Sequence, residues 1–179
     1  MTNENIVIKI QPNYREYLVK AVYAIIPLSI ALIGVLVGIM ALMNGNEEEM
    51  LISLGVFISS DVLTVIFAGR FFAFYIKSNK AKKTLINITE NRIFGTNANL
   101  NIDVEISNIL SVNVVEASID IKPDGTPKTL KVDLFSKMSA LYSKYLNIRT
   151  NDGKNIYIDC VDECETVKNT IDAIRAKIL

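Results

Sequence analysis

The stretch Ala21–Met43, AVYAIIPLSIALIGVLVGIMALM, contains no charged residue and sets the organisation of the whole chain. A helix of about 20 apolar residues crosses the roughly 30 Å hydrocarbon core of a bilayer, because each residue adds about 1.5 Å of rise. A second apolar run, Met50–Ile76, follows a short polar break and is interrupted only by Asp61 and Arg70. Helices joined by so short a connection are antiparallel neighbours. The two runs therefore predict a transmembrane helical hairpin.

The rest of the chain divides around this hairpin. The chain has 179 residues, and a hairpin of about 55 residues leaves about 100 beyond it, which is enough for one small domain with its own core. We assign residues 1–19 to a cytoplasmic N-terminal segment, 20–77 to the hairpin, 78–83 to a basic linker and 84–179 to a C-terminal domain. We also expect the part from Lys82 onward to fold by itself.

The charged residues predict the orientation of the hairpin. The formal net charge is +0, yet Glu47–Glu49 lie between the apolar runs and four lysines follow the second run. Short loops rich in Lys and Arg remain in the cytoplasm, so we expect an inner-membrane protein with two spans and both termini cytoplasmic. The lysines are also candidates for contact with anionic headgroups, although an ordinary positive-inside flank accounts for them as well. They are Lys77, Lys80, Lys82 and Lys83.

Small residues predict close packing of the first apolar helix. Gly34 and Gly38 form a G-x-x-x-G pattern, which lets another helix approach closely. One candidate partner is the second run of the same chain, where Ser60, Thr64 and Ala68 recur every four residues and form a small-residue stripe. The other candidate is a second copy of the chain, in a homo-oligomer. Both interpretations make these glycines helix-packing residues.

Asp61 is the residue of the hairpin that most suggests a function. It lies near the middle of its run, where an ionised carboxylate is costly and polar groups usually face a partner or water. A protonated or hydrogen-bonded carboxyl packed on the first span or on another subunit is the simplest interpretation. An ion pathway would require oligomerisation. Arg70 lies on the opposite helix face, and we expect it to extend towards the headgroups.

From Thr84 onward the sequence changes to short alternating runs separated by turn residues, a pattern typical of β-strands. An amphipathic helix follows at 162–178, with apolar residues spaced three or four apart. The predicted class is α+β, with a small barrel or sandwich and a C-terminal capping helix after the hairpin. Strands are expected at 84–89, 92–96, 101–105, 111–117, 130–134, 146–150 and 155–159, with a further short strand at Ile6–Ile10 before the membrane.

Two arrangements fit the segment Phe135–Tyr145. Its large apolar residues are spaced as on one side of an amphipathic helix. Such a helix can lie on the membrane surface or pack against the β-domain. The preferred interpretation is packing on the domain.

Three parts of the sequence resemble one known family. LINITENRIFG (from Leu85), IDVEISNILSV (from Ile102) and the final hairpin with its helix, LNIRTNDGKNIYIDCVDECETVKNTI (from Leu146), resemble the bacterial pleckstrin-homology-like membrane proteins. The resemblance implies two roughly orthogonal sheets closed by a C-terminal helix. It does not imply phosphoinositide binding, because a fold does not fix a function. The segment 118–145 is longer than the family pattern.

The composition argues against catalytic and metal sites. There is no histidine, so a Ser-His-Asp or Cys-His nucleophile is excluded. Cys160 and Cys164 are the only cysteines, and a zinc site needs two further ligands of this kind. In a cytoplasmic domain these thiols are expected to stay reduced. No glycine loop for phosphates is present. We therefore expect no enzyme activity, no cofactor and no metal.

These observations favour a membrane-anchored, non-enzymatic interaction module that displays a pleckstrin-homology-like domain at the cytoplasmic leaflet. The expected partners are the lipid bilayer and a protein of unknown identity, with a homo-oligomer as a further option and no nucleic acid. The alternative is an accessory subunit of a transporter or of an envelope-stress complex, assembled through the hairpin by Gly34, Gly38 and Asp61.

Overall fold

A computed structural model describes residues 5–44, 47–159 and 163–178 of the chain. The described elements are two long helices, seven strands in two sheets, one short α-helix, a 3-10 helix at Ile106–Asn108 and a C-terminal helix. Their order is β1 (Ile6–Ile10), α1 (Tyr14–Asn44), α2 (Glu47–Ala81), β2 (Leu85–Thr89), β3 (Arg92–Asn97), β4 (Leu100–Glu105), β5 (Ile109–Ser118), α3 (Leu134–Met138), β6 (Tyr142–Thr150), β7 (Asn155–Asp159) and α4 (Cys164–Ile178).

Helices α1 and α2 are long and apolar enough to cross a membrane, as the sequence predicts. They pack against each other, and their large apolar side chains are mostly exposed, for example Ile30 at 65% and Leu51 at 73%. Water-soluble proteins rarely expose so large an apolar surface. Pro27 lies within α1 without ending it.

The glycines of α1 lie against α2 of the same chain. A Cβ atom at Gly34 would collide with the Ser60 hydroxyl, and a Cβ atom at Gly38 would lie 2.9 Å from the Phe57 Cβ. Contacts this short leave no room for a side chain. The two helices therefore approach closely where the sequence has its G-x-x-x-G pattern and where Ser60 begins the small-residue stripe.

Gly38→Ala is expected to destabilise the hairpin by about 1–3 kcal/mol, because the added methyl group meets the Phe57 backbone and the helices must separate. The matched control is Gly55→Ala, whose Cβ would have nothing within 4 Å. Alanine is the better helix former, so this control should be neutral or stabilising by up to about 1 kcal/mol. Thermal unfolding in detergent measures both variants. Equal melting temperatures for the two would show that the close approach at Gly38 is not required.

The first sheet has the strand order β1-β2-β3-β4 and includes a strand that precedes the hairpin. β1 pairs antiparallel with β2, with Ile8 opposite Ile88 and Ile10 opposite Ile86. The helical hairpin is thus inserted between two neighbouring strands of one sheet. The strand predicted at Ile6–Ile10 exists, and it completes a sheet whose other strands all lie after the hairpin.

The second sheet has the order β5-β6-β7, and α4 packs against it. The predicted hairpin of β6 and β7 is closed by a turn in which Gly153 has φ +83°, a conformation that favours glycine. The described strands form two open sheets and no closed barrel. The α+β class is confirmed, and the barrel is not.

One apolar core joins the two sheets and α4. Ile86, Ile148, Ile158 and Ile171 have no exposed surface. Cys164 is also buried in this core, which agrees with its place on the apolar helix face. It is disulfide-bonded rather than reduced. The expectation of a reduced thiol is therefore wrong for Cys164, and this bond is uncommon in a cytoplasmic domain.

The segment between β5 and β6 differs from the prediction. Leu130–Leu134 forms no strand, because no neighbouring strand pairs with it, and residues 142–145 are extended rather than helical. The only helix described between β5 and β6 is α3, which begins after Asp133, whose side chain accepts a hydrogen bond from the Ser136 amide at 2.7 Å. This capping bond explains where α3 starts.

Candidate functional site

The four lysines predicted at the membrane interface all lie where the hairpin meets the domain. Lys77 approaches the Phe74 and Tyr142 rings, and Lys80 donates from Nζ to the carbonyl of Ile119. Lys82 lies over the Tyr14 ring, and Lys83 donates to the Asn99 side chain at 3.2 Å. Helix α2 continues to Ala81, so most of the predicted linker 78–83 is helical.

This junction holds the hairpin firmly against the domain. Ser78 donates to the carbonyl of Tyr14 at 3.0 Å and thereby joins the end of α2 to the start of α1. The Thr84 hydroxyl joins α2 to the domain, because it donates to the carbonyl of Lys80 at 3.0 Å and accepts from the amide of Ala98 at 3.1 Å, in the turn between β3 and β4. Buried hydrogen bonds of this kind fix the orientation of the groups that they join. The domain and the hairpin therefore share a continuous, bonded boundary.

A cluster of buried polar side chains lies beside the junction. Ser143 on β6 donates to the carboxylate of Asp159 on β7 at 2.9 Å. The Tyr145 hydroxyl donates to the carbonyl of Ser118 at 3.0 Å, and burial raises the pKa of this phenol well above its usual value. Tyr145 thus remains neutral at physiological pH. The geometry assigns these groups to holding β5, β6 and β7 in register beside the junction.

Arg70 joins α2 to the segment that carries α3. Its Nε donates to the carbonyl of Met138 at 2.6 Å, which caps the end of that short helix. Directly beside it, a Cβ atom at Gly69 would lie 2.8 Å from the Ser139 Cβ, and Ser139 is fully buried. The sequence predicted that Arg70 extends towards headgroups, but its Nε binds the protein backbone. No local pattern links residues so far apart in the chain.

Asp61 lies on an exposed surface of α2. Gly34 and Gly38 lie on the other helix and face α2, and a Cβ atom at Gly34 would meet Ser60, the residue before Asp61. Among the residues that the structure describes, no group of three or more His, Cys, Asp or Glu side chains is placed to hold a metal ion.

A cleft opens between the two sheets along β4 and β7. Both are edge strands, since β4 ends the order of the first sheet and β7 that of the second. The larger part of the cleft has a volume of about 590 Å³ and is lined by Asp103–Glu105 of β4 and by Lys154 and Ile156 near β7. A smaller part of about 200 Å³ continues towards Leu100. An edge strand presents backbone N–H and C=O groups that another strand can pair with.

The charges that line the cleft are of both signs. Arg92 lies 3.9 Å from the Asp103 carboxylate, and Lys154 lies 2.8 Å from that of Asp152. Glu105 and Asp124 also line the cleft, so its acidic groups outnumber its basic groups and it presents no strong positive field. It is therefore suited to an uncharged or mixed segment rather than to a polyanion such as a phosphorylated headgroup.

Asp152→Asn is expected to lower stability at neutral pH and to have little effect in strong acid. Hydrogen bonds from Lys154 and Thr150 lower the pKa of the Asp152 carboxyl to about 2. A carboxyl whose pKa is lowered in the folded state stabilises that state at pH values above its ordinary pKa of about 4. This stabilisation is lost as the pH falls towards 2. Urea midpoints of both proteins between pH 7 and pH 2 measure the difference. A difference that stays constant over this range would contradict the account of the turn.

Comparison with protein-family models, with curated proteins and with solved structures gives no match to this chain. The assignment of function therefore rests on the geometry of the junction and the cleft.

Proposed function

We propose that this chain is a membrane-anchored, non-enzymatic interaction module. In this proposal α1 and α2 cross the inner membrane, both termini are cytoplasmic, and the two-sheet domain lies at the cytoplasmic leaflet. The observation that carries the proposal is the insertion of an apolar helical hairpin between the paired strands β1 and β2. A domain built around its own anchor has a fixed position and orientation at the membrane.

The domain itself is proposed to be pleckstrin-homology-like. Support comes from the order of four strands, three strands and a C-terminal helix, and from the packing of α4 against the core. The sequence resemblance covers β2 to β5 and β6 to α4. The long connection between β5 and β6 is where this chain departs from the pattern.

The proposed binding surface is the cleft between β4 and β7, and its proposed occupant is an extended segment of a protein partner. Two edge strands facing one cleft offer backbone hydrogen bonds to such a segment, which is how peptides add to an exposed sheet edge. Exposed side chains on β4, such as Asn101 and Asp103, would contact the partner. Anchoring raises the local concentration of the domain for any partner at the same membrane.

In-cell crosslinking followed by a pull-down tests this function. Full-length protein is compared with a hairpin-only truncation that ends at Lys83, and a photo-crosslinking amino acid is placed at Asn101 on β4 or, as a control, at the exposed Glu90. We expect specific partners to be lost with the truncation and to crosslink from position 101 but not from position 90. Partners that persist on the hairpin alone would overturn the proposal.

The exposure of Asp61 favours a second candidate function, an accessory subunit assembled through the hairpin. If α2 spans the bilayer, an exposed carboxylate near its middle faces lipid unless another protein covers it, and the first arrangement is costly. A transporter or an envelope-stress complex is the kind of assembly expected. Asp61→Asn should then reduce crosslinked oligomers or hetero-complexes in membranes and leave the domain folded. Unchanged crosslinking of this variant would remove the support for this function.

A further inference from the structure

Four large apolar side chains are exposed within one short segment between β5 and β6. Leu130 is 59% exposed, Leu134 74%, Phe135 46% and Met138 42%. Three of them belong to α3, where residues 134 and 138 are one turn apart and lie on the same side of the helix. Residues 130–138, which we term the apolar segment, thus present to the outside a surface that the domain core does not use.

The apolar segment lies beside α2. Arg70 binds the carbonyl of Met138 at 2.6 Å, and Gly69 leaves room for Ser139 directly behind it. The exposed apolar surface of α2 continues past this point with Phe72 at 58% and Tyr75 at 49% exposed. The side chains of the apolar segment therefore lie next to the exposed apolar surface of α2, the proposed membrane span.

The position of this contact along α2 indicates how far into the proposed membrane span it lies. Gly69 precedes the end of α2 at Ala81 by a length of about 18 Å. Tyr75, a residue type that favours the boundary between lipid and water, lies between this contact and Lys77 on α2. If α2 spans the bilayer as proposed, the contact at Gly69 lies on the membrane side of Tyr75.

We propose that the four apolar side chains of residues 130–138 insert into the cytoplasmic leaflet and bind the boundary between headgroups and acyl chains. This inference rests on the proposed membrane anchoring of the hairpin. The continuity of the exposed surface from α2 to α3 identifies the occupant as lipid. The docked segment gives the domain a second attachment to the leaflet, so that the domain is held against the bilayer at α3 as well as at the junction.

Single tryptophan residues test the insertion, because the chain contains none. The full chain carrying Phe135→Trp is placed in vesicles of phosphatidylcholine and phosphatidylglycerol, some of which carry bromine at positions along the whole length of the acyl chains. Ile58→Trp reports on the span, and Leu110→Trp reports on an exposed position of β5; both residues are 53% exposed. We expect Trp fluorescence to be quenched by more than half at positions 58 and 135, and to be almost unchanged at position 110.

Three outcomes would overturn the inference, and they can be told apart. Quenching at position 58 without quenching at position 135 would leave the anchoring intact and show that the apolar segment is not in lipid. A blue-shifted but unquenched tryptophan at position 135 would mean that protein covers the segment. A lack of quenching at both positions 58 and 135 would overturn the anchoring of the hairpin together with the inference.

Discussion

A fragment that begins at Lys82 is expected not to fold, because it lacks β1, and this corrects the expectation from the sequence that this part folds by itself. In the intact chain Ile10 is 3% exposed and lies opposite Ile86, which has no exposed surface. Removing the strand uncovers this part of the core and leaves β2 as an unpaired edge. The loss of one buried Ile side chain alone costs about 2–5 kcal/mol, and the total stability of a domain is only about 5–15 kcal/mol.

Restoring β1 is expected to restore the fold. The start of α1 and the end of α2 are adjacent, since Ser78 binds the carbonyl of Tyr14 at 3.0 Å. Residues 1–13 can therefore be joined to Lys82 by a short Gly-Ser linker. Amide NMR spectra and thermal melts compare this fusion with the fragment from Lys82 and with a fusion that carries Ile8→Asn and Ile10→Asn. Cooperative unfolding of the fragment from Lys82 on its own would contradict the assignment of β1 to the sheet.

Ile171→Ala is expected to destabilise the domain by about 2–5 kcal/mol. Ile171 has no exposed surface and lies on the face of α4 that packs in the core between Val167 and Ile174. A cavity in such a place costs the lost burial together with the lost contacts of its lining. The matched control is Ile178→Ala on the same helix, where the side chain is 50% exposed, and its expected change is below about 1 kcal/mol.

Circular dichroism of the full chain in detergent measures both α4 variants through the melting of the domain. The result that would count against a structural role for α4 is an equal melting temperature for Ile171→Ala and Ile178→Ala. A lower melting temperature for Ile171→Ala alone would show that α4 is part of the core.

The features that the sequence predicts well are those with a local signal. The hairpin is evident because Ala21–Met43 carries no charge over a length that matches a bilayer. The β6–β7 hairpin follows from alternation on both sides of Asp152-Gly153, and α4 from its apolar spacing. In each case a few neighbouring residues determine the structure.

The features that the sequence does not predict depend on partners far away in the chain. The residue pattern predicts a short strand at Ile6–Ile10, but no neighbouring residue indicates that this strand pairs with β2 across the whole hairpin. Alternation at Leu130–Leu134 resembles a strand, yet no strand lies beside it. The apolar residues of Phe135–Tyr145 have helical spacing over the whole segment. In the structure only its first part is helical, in α3, and its last part is the start of β6.

The candidate sites show the same division. Gly34 and Gly38 could be identified as helix-packing residues from their spacing, and both lie against α2. The contact of Arg70 with Met138 and the cleft between β4 and β7 arise only when distant segments come together. The lysines were identified by their charge, but the backbone contact of Lys80 with Ile119 could not be read from charge.

The most direct test of the account is the topology of the hairpin in cells. Alkaline phosphatase, which is active only outside the cytoplasm, is inserted after Gly45 between the two apolar runs, and green fluorescent protein, which becomes fluorescent in the cytoplasm, is fused after Leu179. The account predicts an active phosphatase, a fluorescent C-terminus and recovery of both fusions in the membrane fraction after alkaline extraction. An inactive phosphatase after Gly45, or a protein released by alkaline extraction, would contradict the claim that this hairpin anchors the domain.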